Sequence, residues 1–167
     1  MDLLEYLRTD HQFLLGLLER LDQTVTASSS RCHGEGWSEQ MAKEATSLIE
    51  QMIARMATHE RAEESLFFPA LRRCAPELEP VVSVIEADHQ GVARTFASFG
   101  REAGTAGRPA AWMILTISRL THMVRSHIAR EEADLFTAAA RRIPPHELGR
   151  LGPQAEQLTV QGAHRAA

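Results

Sequence analysis

The sequence lacks three features that would indicate particular classes of protein. It has 2 cysteines in 167 residues, Cys32 and Cys74, which are too few for the disulfide framework of a small secreted domain. No apolar run approaches the roughly eighteen residues of a membrane-spanning helix. Excess positive charge is also missing, because the net charge is −4, which gives no electrostatic footprint for nucleic acid or acidic membranes. We therefore predict no nucleic-acid partner and no membrane association.

A secretory signal is not evident either. Residues 1–5 (MDLLE) have neither the basic region nor the long apolar core of such a signal, so the cytoplasm is the predicted location. A length of 167 residues predicts one domain with a proper core. The apolar share of 44% and the charged share of 24% are ordinary for a globular protein.

Apolar residues recur at steps of three and four along most of the chain, which is the spacing of one helix face. Asp2 and Ser38 precede two such stretches and are suitable N-caps, and Pro109 suits the first turn of a third helix. Amphipathic helices joined by short loops predict an all-α fold, an antiparallel up-down four-helix bundle, over residues 1–143. The predicted helices span residues 2–27, 38–73, about 75–80 to 102, and 109–142, with loops at 28–37 and 104–108.

The pattern weakens after Pro145, and residues 144–167 are predicted to form a short C-terminal extension. A short helix is expected over 146–158, where Gly149, Gly152 and Pro153 interrupt the pattern. The last nine residues are predicted to be disordered.

A histidine and a glutamate four residues apart, His59 and Glu63, lie on one face of the second predicted helix. Four residues bring the second side chain to within about 40° of the first, one turn along. Imidazole and carboxylate can then bind the same divalent metal ion. A single such pair is a weak signal, because it is expected about once by chance in a chain of this composition.

The same motif occurs a second time, which strengthens the signal. Residues 59–69 read HERAEESLFFP and residues 127–136 read HIAREEADLF. Each copy is preceded by a helical stretch with Asp-His-Gln, at residues 10–12 and 88–90. The chain therefore contains an internal repeat whose shared residues are of metal-ligand type.

The positions of the histidines agree with a common site. His11 and His89 lie early in their predicted helices, whereas His59 and His127 lie late, as antiparallel helices require if four side chains are to meet at one level. By itself, a histidine on an apolar stripe, such as His11, is more often a hydrogen-bonded core residue. Burying four imidazoles with Glu63 and Glu131 would cost several kcal/mol without counter-charge, and two divalent cations would remove that cost.

Other candidate ligands are predicted to lie outside the site. His122 is rotated by about 140° from His127, so it is expected to face outward or toward a neighbouring helix. Glu132 is rotated by the same angle and is expected to be a solvated charge. Glu60 and Glu64 are expected to be exterior for the same reason. Cys32 and His33 in the first loop have no partner at ligand spacing, and His146 and His164 are predicted to be surface residues.

The order His, HxxxE, His, HxxxE across four helices resembles the hemerythrin family, the HHE cation-binding domains, over about residues 3–140. The resemblance implies a hemerythrin-like bundle with two non-haem iron ions, oxo- or hydroxo-bridged, although Zn or Mn is possible. It implies Glu63 and Glu131 as bridging ligands. The implied terminal ligands are His11, His59, His89 and His127.

The sequence departs from the oxygen-carrying hemerythrins at two places. Those proteins have a His-x-x-x-His pair on helix three, where this chain has Ala93 four residues after His89, and their last motif is His-x-x-x-x-Asp. Glu86, three residues before His89, is a candidate for the missing ligand, as in the Glu-x-x-His pairs of di-iron carboxylate bundles. The alternative is that Glu86 accepts a hydrogen bond from a ligand histidine.

Three functions remain open at this point. The first is a di-iron protein that binds oxygen or a related small diatomic ligand, as a sensor, scavenger or store. The second is a di-iron enzyme that decomposes peroxide or handles nitric oxide. The third is a bundle that binds zinc, or no iron in the cell, and acts through protein contacts. The oligomeric state is not indicated by the sequence.

Overall fold

A computed structural model describes residues 1–29, 38–103 and 110–165, and every element in these ranges is a helix. The α-helices are α1 (Leu3–Ser29), α2 (Glu39–Ala62), α3 (Phe68–Cys74), α4 (Glu79–Ala103), α5 (Ala110–Arg130), α6 (Thr137–Arg142) and α7 (Pro145–Arg165). The π-helical turn Glu63–Phe67 joins α2 to α3, the turn Glu131–Phe136 joins α5 to α6, and a 3-10 turn, Pro76–Leu78, precedes α4. The described residues thus form five long helical rods, and the predicted all-α class is confirmed. None of the described helices has the length and apolar character needed to cross a membrane.

The predicted N-caps are present. Asp2 Oδ1 accepts a hydrogen bond from Glu5 N at 2.9 Å, and Glu5 Oε2 accepts one from Asp2 N at 2.9 Å, which makes a reciprocal capping box. Ser38 Oγ accepts a hydrogen bond from Met41 N at 3.2 Å and caps α2. The predicted loops at 28–37 and 104–108 lie almost wholly outside the described residues.

The apolar core consists of two clusters with a polar layer between them. The first core cluster contains Leu3, Leu7 and Phe136, and the second contains Leu14, Met52 and others from the opposite half of the rods. Buried histidines and glutamates separate the two clusters along four of the rods, and α7 contributes to the first cluster alone among its described residues. His11 lies between Leu7 and Leu14, His59 between Met56 and Ala62, His89 between Ile85 and Val92, and Glu131 between Ile128 and Leu135.

The C-terminal segment differs from the prediction. It forms one helix, α7, which is continuous through Pro153 and reaches Arg165, instead of a short interrupted helix. Leu148, Leu151 and Ala155 on its inner face are buried in the first core cluster, and this packing outweighs the weak local helix signal. Gly152 permits the approach, because a Cβ there would lie 2.2 Å from Met1 O. Residues 166–167 are not described.

Candidate metal centre

Four histidines and two glutamates converge in the polar layer between the two core clusters. Their ligand-type atoms form two groups, each with all atoms within 4.8 Å of one another. Position A is formed by His11, His59, Glu63 and Glu131, and position B by Glu63, His89, His127 and Glu131. All six side chains are buried, with exposed fractions of 0 to 3%.

The two glutamates each face both positions. One oxygen of Glu131 lies 3.2 Å from His11 Nε2, and the other lies 3.3 Å from His127 Nε2. Glu63 is arranged in the same way, with Oε1 at 3.4 Å from His59 Nε2 and Oε2 at 3.2 Å from His89 Nε2. Each carboxylate therefore spans positions A and B as a bridging ligand would.

Many polar atoms at the centre of the cluster have no hydrogen-bond partner among the described residues. Both oxygens of Glu63 and of Glu131 are in this state, as are His89 Nε2 and both ring nitrogens of His127. Buried polar groups are normally paired, and unpaired buried charges are very costly. Divalent cations are the groups that would satisfy nitrogen and carboxylate donors pointing at a common centre, so the donor set fits two of them.

Without metal, the cluster balances its charge with protons. Burial would lower the pKa of His59, but Glu63 and Asp10 outweigh it and raise that pKa well above its ordinary value. Burial also opposes protonation of His89, but its contacts with Glu131 and Glu63 raise its pKa to about 11. Burial dominates at His127 and lowers its pKa. The raised pKa values of His59 and His89 therefore favour positive charge beside the two buried carboxylates.

Glu86 lies apart from the other six residues predicted as ligands. Its two carboxylate oxygens accept hydrogen bonds from Arg72 Nη2, each at 3.0 Å. Arg72 also donates from Nε to Glu79 at 2.7 Å. The guanidinium group, which belongs to a neighbouring helix, therefore neutralises Glu86. No described histidine ring uses Glu86 as its hydrogen-bond acceptor, which was the alternative prediction.

The second glutamate of each Glu-Glu pair, predicted to face outward, contacts a buried histidine. Glu132 Oε1 lies 2.9 Å from His11 Nδ1, and Glu64 Oε1 lies 3.1 Å from His89 Nδ1. Both glutamates remain about half exposed, so the expected solvation is only part of their environment. The Glu-Glu doublet in both repeats is the sequence signal for these contacts. Regular helical rotation by itself predicts that the second glutamate faces outward.

The π-helical turns explain this error. Glu63 and Glu131 each begin such a turn, in which hydrogen bonds run to the fifth residue back, as from Phe68 N to Glu63 O. A π turn has more residues per turn than an α-helix, so successive side chains are separated by a smaller angle. Two adjacent glutamates can then both reach toward the histidine layer.

Glu60, also predicted to be exterior, is half-buried in the wall of a cavity of about 260 Å³. Burial raises the pKa of Glu60 to about 7, against the opposing effect of His89 and His59. The rest of the wall is apolar, and the cavity adjoins the ligand-bearing turns of α2 and α4. Its other lining residues are Ile53, Met56, Ala57, Ala93, Phe96 and Ala97.

The aromatic ends of the two repeats cover the cluster on one side. Phe136 stacks on His11 with ring centroids 5.1 Å apart, and Phe68 stacks on His89 at 5.9 Å. Phe67 contacts Phe136 edge-on at 5.4 Å. The rings fix the imidazoles sterically and keep water from this face.

Two further histidines, His122 and His146, lie outside the cluster. His122 and His146 are exposed, as predicted. Cys32 and His33 lie outside the described residues, and nothing is described of the His164 side chain. The structure thus brings together six of the seven predicted ligands and adds Asp10, Glu64 and Glu132 around them.

The fold and the buried histidine–carboxylate cluster together define a helical protein whose centre is compatible with metal binding. The family model for the Hemerythrin HHE cation binding domain matches residues 2–139. The chain therefore belongs to the hemerythrin HHE cation-binding family, and the resemblance found in the sequence is confirmed.

One solved structure shows the same fold over almost the whole chain. It is the crystal structure of a hemerythrin HHE cation binding domain-containing protein from Mycobacterium kansasii, with a TM-score of 0.72 at 20% identity. The alignment covers 99% of this chain and 90% of that chain. No curated protein matches the chain significantly.

Proposed function

We propose that the chain is a non-haem di-iron protein that binds dioxygen or a related small ligand, as a sensor, scavenger or store. The observation that carries this proposal is the placement of Glu63 and Glu131, each with one oxygen directed to position A and one to position B. Glu63 and Glu131 would hold two iron ions side by side, and such a pair would supply two-electron redox chemistry toward one small ligand. Mixed nitrogen and oxygen donors suit iron, although zinc and manganese accept them as well.

The protein's own residues would hold and shield this centre. His11 and His59 would complete position A, and His89 and His127 would complete position B. The two carboxylates would supply the negative charge that offsets the cations. Family membership over residues 2–139 supports these roles, because the family is defined by cation binding.

The cavity beside Glu60 supports the proposal that the ligand is small and weakly polar. Ala93, where oxygen-carrying hemerythrins have a second histidine, is one of its lining residues. The missing imidazole leaves room there for a molecule of a few atoms. Because the wall is mostly apolar, a diatomic ligand is favoured over a highly charged one.

We also propose that residues 1–143 form an antiparallel up-down bundle and that the protein is cytoplasmic. The four rods that carry the ligands meet in one polar layer, which supports such an arrangement. α7 then serves as a fifth helix packed on the outside of the first core cluster.

The first test is elemental analysis of protein expressed with ample iron. We expect two iron ions per chain, and we expect His59→Ala and His127→Ala to lower this number and the melting temperature, because the buried carboxylates lose counter-charge. His146→Ala is the matched control, since His146 is exposed, and it should leave both unchanged. Fewer than one iron per chain in the wild type would instead support a zinc-binding or contact-based role.

The second test separates ligand binding from catalysis. The reduced protein should bind dioxygen with an optical change that reverses when the gas is removed. Steady release of oxygen from added peroxide, without such reversible binding, would contradict our proposal. That result would indicate an enzyme using the same centre.

A further inference from the structure

The two Glu-Glu pairs contact the histidines of opposite repeats in a crossed arrangement. Glu132, from the second HxxxEE motif, meets His11 of the first Asp-His-Gln motif. Glu64, from the first HxxxEE motif, meets His89 of the second Asp-His-Gln motif. In both cases the first glutamate of the pair faces the cluster. The second contacts Nδ1 of an imidazole, the ring nitrogen that points away from the cluster and is called the outer nitrogen below. The same relation between residues therefore occurs twice in the molecule.

The contact between a carboxylate and the Nδ1 atom of a histidine has a known role in metal ligation. A neutral histidine that binds a cation through Nε2 carries its proton on Nδ1, which then needs an acceptor. A carboxylate acceptor fixes the tautomer and the ring orientation, and it makes the ligand more basic. The carboxylates of Glu64 and Glu132 could lie in water, since these side chains are 53% and 45% exposed, yet each is directed to a buried ring.

The outer nitrogens of the other two histidines are not equivalent. Neither His59 Nδ1 nor His127 Nδ1 makes a hydrogen bond in the described part of the chain. His59 Nδ1 nevertheless lies 3.5 Å from Asp10 Oδ2, and the other oxygen of Asp10 pairs with Arg55. The residue equivalent to Asp10 in the second repeat is Asp88, which pairs with Arg130 instead.

We propose that Glu64 and Glu132 are positioning residues for the ligand histidines of the opposite repeat, and that position B holds its metal ion more weakly than position A. At position A, Glu132 is within hydrogen-bond distance of His11 Nδ1, and the carboxylate of Asp10 lies 3.5 Å from His59 Nδ1. At position B, a carboxylate lies beside Nδ1 of His89 alone among the described contacts. This inference rests on the proposed function, because it requires a metal ion at each position.

The experiment compares metal release from wild-type protein with that from Glu64→Ala and Glu132→Ala. Glu50→Ala is the matched control, because Glu50 is an exposed glutamate on α2. Each protein is loaded with iron and dialysed against a chelator of increasing concentration, and the iron per chain is measured. Circular dichroism of the metal-free variants checks that they remain helical.

We expect the wild type to lose its two ions in two steps. Glu64→Ala should lose the weaker ion at a chelator concentration about 10–100 times lower, because loss of an outer acceptor typically weakens metal affinity by this factor. Glu132→Ala should weaken the tighter ion and bring the two steps together. Glu64→Gln and Glu132→Gln keep an oxygen acceptor and should recover part of the loss, which a general packing effect would not explain.

Three results would contradict the inference. Alanine variants that release iron as Glu50→Ala does would exclude the positioning role. Loss of the weaker ion in Glu132→Ala but not in Glu64→Ala would reverse the order of the positions. A wild type with two ions that leave in a single step would exclude the inequality, whereas a wild type with fewer than two ions would contradict the proposed function itself.

Discussion

At the scale of single residues, the cluster combines groups that are costly to bury with groups that compensate them. Glu131 is the clearest case. Burial opposes its ionisation, but the close contacts with His11, His59 and His89 hold its pKa well below the ordinary value. In the metal-free protein, protonated imidazoles therefore act as the counter-charge that cations would supply. Metal binding must displace these protons, so metal affinity should fall as the pH is lowered.

The raised histidine pKa values predict how the stability of the metal-free protein depends on pH. The folded state binds the proton of His89 more tightly than the unfolded state does, with a pKa of about 11 against an ordinary 6.5. This contribution is complete below about pH 6.5 and is lost as the pH rises through about 11. His59 acts in the same direction, whereas His127, with its lowered pKa, opposes folding on the acid side.

We therefore expect the melting temperature of the metal-free protein to fall steadily between pH 7 and pH 10. Differential scanning calorimetry in matched buffers measures it. The metal-loaded protein is the control, because its imidazoles are already neutral and should not contribute to such a decline. An equal decline in both forms would show that protons on these histidines do not stabilise the metal-free fold.

At the scale of helices, the sequence predicts which side chains share an inner face and at which level along the helix they lie. The step of four residues between His59 and Glu63, and again between His127 and Glu131, places each pair on one inner face as expected. The positions of His11 and His89 early in their helices indicated the common layer. These features depend only on regular helical rotation, which holds along nearly all of α1, α2, α4 and α5.

The sequence predictions are wrong where a change of helix type or a contact with another helix overrides regular helical rotation. The π turns redirect Glu64 and Glu132, and no residue pattern in one sequence marks such a turn. Glu86 follows helical spacing correctly, but Arg72 on another helix binds it. α7 continues through Pro153 because its burial against α1 favours a helix that its local sequence disfavours.

Close contact between α7 and the start of α1 predicts a position-specific effect. Gly152→Ala should lower the free energy of unfolding by about 1–3 kcal/mol, because the new Cβ would overlap the backbone of Met1 and Asp2. Gly149→Ala is the matched control on the same helix. Apart from its chain neighbours and the backbone of its own helix, no described atom lies within 4 Å of a Cβ at Gly149, so this change should stabilise the helix by about 0.5–1 kcal/mol. Urea unfolding of both variants measures the difference, and equal effects would contradict the close approach.

At the scale of the whole molecule, the polar layer divides the hydrophobic interior into two halves. The first core cluster includes α7 and the ends of the rods beside it, and the second occupies the opposite halves of the rods. Favourable interactions across the layer depend on how well its charges are compensated. A cation that binds one of the two positions in the folded form alone would stabilise the chain by about 2.7 kcal/mol at a concentration one hundred times its dissociation constant.

Removal of metal should therefore loosen the middle of the molecule first. After chelation, backbone amides near His59 and His127 should exchange hydrogen for deuterium faster, because local opening there costs less. Amides near Leu18 and Leu48, inside the second core cluster, should change less. Mass spectrometry of peptides from both forms tests this, and a uniform change along the chain would contradict a localised effect.

Glu64 and Glu132 also connect the sealed interior with bulk water. Each side chain has one end against a buried imidazole and a substantial fraction of its surface in solvent. The Nδ1 atoms of the two buried rings thus lie one carboxylate away from bulk water, and no helix has to move aside for this contact. An interior closed by packed helices is in this way joined to the solvent through two side chains.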